Sequence, residues 1–297
     1  MVHKRRILFL YCGGTIGQVP STVGTDIVLT APKDDKAFHA VCEPIIQKFN
    51  REAHIDTTFE LVTTKDSTNM TPSDWEKIIV RVKRAQDEDG FDAVGIAHGT
   101  DTLAYTATAL ALALHGKNLG ETGLRIPVCI TGAQNPVYQQ GGDGRFNLEN
   151  LFRVLDVAIR QGVADILVNF WNRVFLGCRT IKVSEKAFDA FHSPAFPDVG
   201  TIDASGVHLS LDLVRLRVNA GRKIRLAPKF GRGILSIELA PGVEPGVITS
   251  FVASGGVHAI VFKSLGEGNV CTEGEYSLIP AIKQITQEYA TPVLITT

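Results

Sequence analysis

No apolar run in this 297-residue sequence approaches the ~20 residues that cross a bilayer, which excludes a membrane-spanning helix. An excess of either charge is also missing. Thirty Lys and Arg against 31 Asp and Glu leave a net charge of -1, which gives no case for a nucleic-acid or anionic-membrane partner. The five cysteines (Cys12, Cys42, Cys129, Cys178 and Cys271) form no CxxC pair, so neither a zinc knuckle nor a redox motif is supported. Their odd, dispersed distribution fits reduced thiols in a cytoplasmic protein. The basic start, Met1 to Arg6, precedes an apolar run too short for a signal peptide, and that run ends in glycines, so residues 7–11 read as a first strand. Internal repeats, low-complexity tracts and long charge blocks are absent as well. What remains is ordinary globular composition, 44% hydrophobic and 21% charged, in a chain long enough for one large domain or two ordinary ones.

Short apolar runs at 7–11, 59–64, 91–96, 127–130 and 165–170 alternate with helical patterns. Continuous apolar strands separated by helices predict a mostly parallel α/β sheet covered on both faces. Residues 32–50 are helical, with Pro44 expected to kink or break the helix. Thr71 reads as an N-cap with Pro72 at the first helical position. Helices are also expected over 103–114 and 145–161. Residues 18–30 carry Pro, Gly, Ser and Thr without a period and read as a loop. The pattern loosens from 188 to 232 and then resumes as βαβαβ. The expected organisation is a larger N-terminal catalytic α/β domain over 1–205, a linker over 206–232 and a smaller C-terminal α/β domain over 233–297. A last strand ending uncovered at Thr297 gives the expectation that the chain is truncated there.

Three polar loops follow strands at the sheet edge where open α/β sheets bind ligands. They carry Thr15, Ser67 with Thr68, and Thr100 with Thr102. Hydroxyls are weak nucleophiles at neutral pH and need a base or a charged neighbour. Asp101 suits a cationic group such as an α-amine. A buried lysine of depressed pKa could activate a threonine, and Lys182, in a polar turn soon after a strand, is the best candidate. Plainer readings stand beside these. Asp101 or Thr102 could only N-cap the helix at 103, Asp143 could only cap the helix at 145, and Lys182 could be a solvated turn lysine. His98 reads as a backbone-bonding residue that structures its loop. The Gly13–Gly17 loop lacks the G-x-G-x-x-G spacing of a dinucleotide site.

Cys12-Gly13-Gly14-Thr15-Ile16-Gly17 and His98-Gly99-Thr100-Asp101-Thr102 resemble the two signature segments of the bacterial-type L-asparaginases. Further segments follow in register. Asp66 to Trp75 resembles the family's substrate-carboxylate loop, closest to the cytoplasmic (type I) branch. Ile130 to Gln134, Asp143 to Leu148, Asn172-Arg173 with Gly177, Arg179-Thr180 and Lys182, then Phe188-Asp189-Ala190-Phe191, and Gly266-Glu267-Gly268-Asn269 continue the likeness. The resemblance implies hydrolysis of the asparagine side-chain amide to aspartate and ammonia, with no metal and no organic cofactor. It implies Thr15 as the nucleophile that forms an acyl-enzyme. Thr100, Lys182 and Asp101 would be the group that prepares the water, and Asp101 would also hold the α-amine. Ser67 and Thr68 would hold the α-carboxylate. Backbone N–H groups of the Thr100 loop and Ala133 would stabilise the oxyanion. It further implies a small-molecule amide substrate and a homodimer or homotetramer.

The sequence departs from that pattern in places. The family has a tyrosine about ten residues after the nucleophile, but here that position falls near Thr25, and no tyrosine lies between Tyr11 and Tyr105. Cys12 replaces a threonine and reads as a small residue packed beneath the loop. Ile181 stands where type I relatives often carry threonine, which weakens any carry-over of their allosteric asparagine site. Two rival readings follow. One is a binding or regulatory module for asparagine or aspartate that keeps the pocket with little turnover. The other is an amidase subunit acting on amidated tRNA, disfavoured by the neutral charge balance.

Overall fold

The computed structural model describes residues 4–23, 25–52, 54–114, 123–217 and 229–296. They fall into two units, Met1–Pro228 and Lys229–Thr297.

In the first unit the chain runs β1 (Arg5–Cys12), a 3-10 turn at Thr15–Gly17, β2 (Val19–Val23), β3 (Asp26–Thr30), α1 (Asp35–Glu52) and β4 (Ile55–Thr63). A turn at Ser67–Asn69, α2 (Pro72–Asp87), β5 (Ala93–His98), α3 (Leu103–Ala113), β6 (Val128–Thr131) and α4 (Asp143–Arg160) follow. The unit then continues through β7 (Ile166–Phe170), β8 (Arg173–Leu176), β9 (Ile181–Lys182), β10 (Phe191–His192), β11 (Gly200–Asp203) and β12 (Gly206–Leu209). Eight strands form one sheet in the order β12-β11-β8-β7-β6-β5-β1-β4. The five from β7 to β4 are parallel, and β8, β11 and β12 extend the sheet antiparallel.

Strand β1 explains the layering. Its residues alternate faces: Ile7, Phe9 and Tyr11 pack in one cluster with Phe38 and Cys42 of α1 and Leu148 and Phe152 of α4. Leu8 and Leu10, also fully buried, point the other way, toward the face where α2 and α3 pack. From Ile7 onward the strand is therefore apolar. From β1 the chain crosses to β4 on one side, then returns to β5 on the other. That reversal makes the carboxyl ends of β1 and β5 the switch point where such sheets form a crevice.

Two local expectations differ from the structure. Within residues 18–30, Val19–Val23 and Asp26–Thr30 pair antiparallel as a hairpin, Val19 with Thr30 and Val23 with Asp26. Every residue of β3 but Thr30 is exposed, so the hairpin lacks the apolar-polar alternation by which a half-buried strand is read. Thr25 lies exposed in its turn. Helix α1 runs unbroken through Pro44. The ring removes one N–H donor, but Phe38, Cys42, Ile45 and Ile46 on both sides of it are buried in the core, and that burial holds the helix together.

Of the expected linker, 206–217 lies in the first unit. There β12 pairs with β11, and Ala164 and Arg217 exchange backbone hydrogen bonds with Arg215 and Gly162. Residues 218–228 lie outside the described residues. The second unit carries β13 (Ile234–Glu238), α5 (Pro245–Ala253), β14 (Ala259–Lys263), α6 (Leu278–Gln287) and β15 (Val293–Thr296). It forms a parallel sheet in the order β13-β14-β15 with its own core around Ile248, Val252, Ile260, Phe262, Leu278 and Ile285. Among the described residues no helix is long and apolar enough to cross a membrane.

Candidate active site

Four loops meet at the switch point, and glycine is what lets them meet. Strand β1 ends in Gly13 and Gly14, with φ of 86° and 93°. A Cβ on Gly13 would lie 2.0 Å from the Lys65 carbonyl oxygen, and one on Gly14 would lie 2.4 Å from the Gly99 backbone. Both positions need the left-handed region and the missing side chain. On the next loops, a Cβ on Gly99 would strike Ser67 at 2.6 Å, and one on Gly132 would meet the His98 carbonyl oxygen at 2.6 Å and Thr100 Cγ2 at 3.2 Å. The loops after β1, β4, β5 and β6 are thus in backbone contact, which brings Thr15, Ser67, Thr100 and Ala133 to one edge of the sheet.

Thr15 opens the first turn and is half-buried. Beneath it the Tyr11 hydroxyl donates to the Gly14 carbonyl at 2.8 Å, and the Ile16 carbonyl accepts from Val137 N–H at 3.1 Å. Cys12 is fully buried, and burial pushes its thiol well above the ordinary range, so the residue packs under the loop as a protonated, unreactive thiol. The hydroxyls of Thr15, Ser67 and Thr100 have no hydrogen-bond partner among the described residues, nor do the backbone N–H groups of Thr100, Asp101 and Ala133.

The second loop is braced from within. Asp66 accepts from the Thr68 N–H at 2.8 Å and from its hydroxyl at 2.7 Å, and these bonds lower its carboxyl. Ser67 is almost wholly buried. Behind it, Asp74 takes Lys65 Nζ at 2.6 Å, with the Thr71 N–H and hydroxyl at 3.0 and 2.7 Å. Burial raises the Asp74 carboxyl, but these bonds outweigh it and bring the pKa down to about 2. Thr102 stands at the N-cap of α3 without capping it. Its hydroxyl donates instead to the Ser67 carbonyl at 2.8 Å, tying the second loop to the third.

Lys182 comes from 81 residues further along the chain. Its Nζ donates to Asp101 Oδ1 at 2.5 Å and to Glu185 Oε2 at 2.5 Å. The lysine side chain is 11% exposed against 45% for Asp101, so Lys182 is no solvated turn residue. Its expected depressed pKa is not what the structure gives. Burial alone would lower it, but the hydrogen bonds from Asp101 and Glu185 outweigh burial and the net direction is up. Lys182 is an ammonium shared by two carboxylates.

Two buried polar groups hold these loops in place. His98 Nδ1 lies 2.8 Å from the Gly99 carbonyl and Nε2 2.9 Å from the Thr106 hydroxyl, which is itself 3.0 Å from Trp75 Nε1. Indole only donates and a carbonyl only accepts, so the chain runs from Trp75 to Thr106 to His98 to Gly99, with the proton on Nδ1. Burial drives the imidazole down to about 4, against a smaller upward effect of the Gly99 bond. Asp143 accepts from Gln134 N–H at 2.9 Å and Asn135 N–H at 2.8 Å. Rather than capping its own helix, it fixes the loop that begins at Ala133, and burial raises its carboxyl.

These loops, β2 to β12, α1 to α4 and all of β1 but its first residue fall within residues 6–215, the part of the chain that matches the family model "Asparaginase, N-terminal". The chain belongs to the asparaginase family. It is 32% identical over 269 residues to L-asparaginase 1 of Escherichia coli (strain K12), covering 90% of this chain and 73% of that one. It is 30% identical over 295 residues to the L-asparaginase of Thermococcus kodakarensis, covering 98% of this chain and 80% of the relative. The structure of L-asparaginase I from Vibrio cholerae superposes with a TM-score of 0.79 at 29% identity, over 99% of this chain and 81% of that one.

Of the residues expected at an asparaginase site, Thr15, Ser67, Thr68, Thr100, Asp101 and Ala133 lie on the contacting loops, and Lys182 reaches them through Asp101. The Thr68 hydroxyl is engaged within its own loop. Sequence reasoning missed Glu185 as a partner of Lys182 and Thr102 as a tether between loops. The three-residue spacing of Lys182 and Glu185 was visible, but only the pairing of β9 with β10 explains why the two side chains meet.

Proposed function

We propose that this chain hydrolyses the side-chain amide of L-asparagine to L-aspartate and ammonia through an acyl-enzyme on Thr15. The backbone contact of the Gly14 and Gly99 loops carries the reading, because it puts two unpaired threonine hydroxyls and an acid at one crevice. Asp101, 45% exposed beside that crevice, suits the substrate's α-ammonium. Ser67 Oγ and the second loop suit its α-carboxylate. The Thr15 oxygen attacks the amide carbon and the carbonyl oxygen becomes an oxyanion. The unpaired N–H groups of Thr100 and Ala133 are available to it, and donors of this kind are worth about 3 kcal/mol each. The carbonyl re-forms as the C–N bond breaks, the nitrogen takes up the proton that left the Thr15 hydroxyl, and ammonia leaves.

Water then attacks the β-aspartyl ester. Thr100 accepts its proton, and Lys182 supports that step when it has given up its own proton. The ester C–O bond breaks, the proton returns to Thr15, and aspartate leaves. In total one amide and one water become one carboxylic acid and one ammonia.

Rapid quenching during turnover, followed by digestion and mass spectrometry, tests this reading. The β-aspartyl ester is expected on the peptide that contains Thr15, and it should accumulate in Thr100→Ala. An ester found on Thr100 instead would exchange the roles of the two threonines.

A further inference from the structure

Lys182 has one more partner than the hydrolysis requires. We propose that Glu185 is a positioning residue for Lys182, its carboxylate sharing the ammonium with Asp101 and so setting the pH at which Lys182 can serve Thr100. The inference rests on the proposed function and adds a residue that the motifs do not contain.

The geometry is built. Glu185 sits on the turn that joins β9 to β10, closed where Lys182 pairs with Phe191 and where Val183 N–H donates to the Ala190 carbonyl at 2.8 Å. Within that turn Ser184 Oγ accepts from Lys186 N–H at 3.3 Å and Ala187 N–H at 3.0 Å. The Gln134 amide, on the loop after β6, donates to the carbonyls of Ser184 and Ala187 at 3.5 and 3.3 Å. Glu185 therefore points at Lys182 from a segment fastened to the active-site loops. From the opposite side the loop after β5 presents Asp101. Among the described residues, these two carboxylates are the charged groups paired with Lys182 Nζ.

Two equal bonds have a chemical consequence. An ammonium held at 2.5 Å by two carboxylates keeps its proton to higher pH than one held by Asp101 alone. The Asp101 bond ties Lys182 to the loop that carries Thr100, whereas the Glu185 bond ties it to its own turn. Glu185 is 76% exposed, so solvent weakens its pull, and its removal shifts the balance without breaking the site.

The test compares Glu185→Gln with the wild-type chain across pH, with L-asparagine as substrate. Glu88→Gln, at the opposite edge of the sheet, is the control with the same change of charge. In Glu185→Gln the acid limb of kcat is expected to move down by about 0.5–1 pH unit, with KM on the plateau unchanged. Glu88→Gln should leave the limb in place. An unmoved limb in Glu185→Gln, or an equal shift in both variants, overturns the proposal. The Lys182 Nζ titration, followed by NMR in lysine-labelled protein, separates this outcome from a failure of the hydrolase reading. If the wild-type chain releases no ammonia, a titration midpoint lowered in Glu185→Gln still supports the charge coupling, and an unchanged midpoint ends it.

Discussion

Gly14 has no room for a side chain, and the site depends on that. Alanine there would combine a φ of 93° with a Cβ 2.4 Å from the Gly99 backbone. Gly14→Ala is expected to cost about 2–4 kcal/mol in chemical denaturation, from backbone strain and overpacking together, and to abolish turnover. A variant of wild-type stability and activity would mean that the loops can part freely. His98 gives the pH dependence. Its folded pKa of about 4 lies below the unfolded 6.5, so the unfolded chain takes up the proton first. The contribution is complete above pH 6.5 and is lost as the pH falls toward 4, in total about 3 kcal/mol. The stability difference between wild type and His98→Asn should shrink by about that amount over this window; a difference independent of pH would contradict it. At this scale the sequence was most legible where chemistry and backbone coincide. Thr15, Ser67, Thr100 and Asp101 stand in polar loops that end apolar strands, so their place at the sheet edge is read from the pattern. Glu185 follows a two-residue strand with no period, and its three-residue spacing from Lys182 does not by itself mark a pair.

Among the elements, the loop after β6 shows how a buried acid does structural work. Asp143 satisfies two backbone N–H groups at once. Asp143→Ala leaves both unpaired beside the Ala133 N–H, so a loss of about 2–4 kcal/mol is expected, together with a fall in kcat of at least ~10-fold. Unfolding in urea and steady-state kinetics on the same preparation check both numbers, and an unchanged kcat would remove Ala133 from the oxyanion reading. The elements also mark the limits of pattern reading. The helices α2 and α3 were legible because Thr71-Pro72 and an apolar block announce them. The hairpin of β2 and β3 was not, because its stability does not come from burying one face. The unbroken course of α1 through Pro44 is a tertiary effect: a buried apolar face outweighs one missing hydrogen bond, which no local rule anticipates.

At the scale of the molecule, the order of strands decides where chemistry occurs. The alternation of strands and helices predicted the parallel sheet, and the structure adds the reversal between β4 and β5 that opens the crevice. Sequence periodicity carries no information on strand order, which is why the convergence of the four loops had to be seen. The resemblance to asparaginases implies a homodimer or homotetramer. Sedimentation equilibrium is therefore expected to give at least twice the chain mass of 32.1 kDa, and a species at the single-chain mass that turns over would refute that expectation. The central claim is amide hydrolysis by Thr15 with Lys182. Its most direct test is ammonia release from L-asparagine by the wild-type chain beside Thr15→Ala and Lys182→Met. Release by the wild type that falls at least ~10³-fold in both variants is the predicted result. No release by the wild type, with asparagine or aspartate still raising its Tm, would contradict the account and identify a binding module instead.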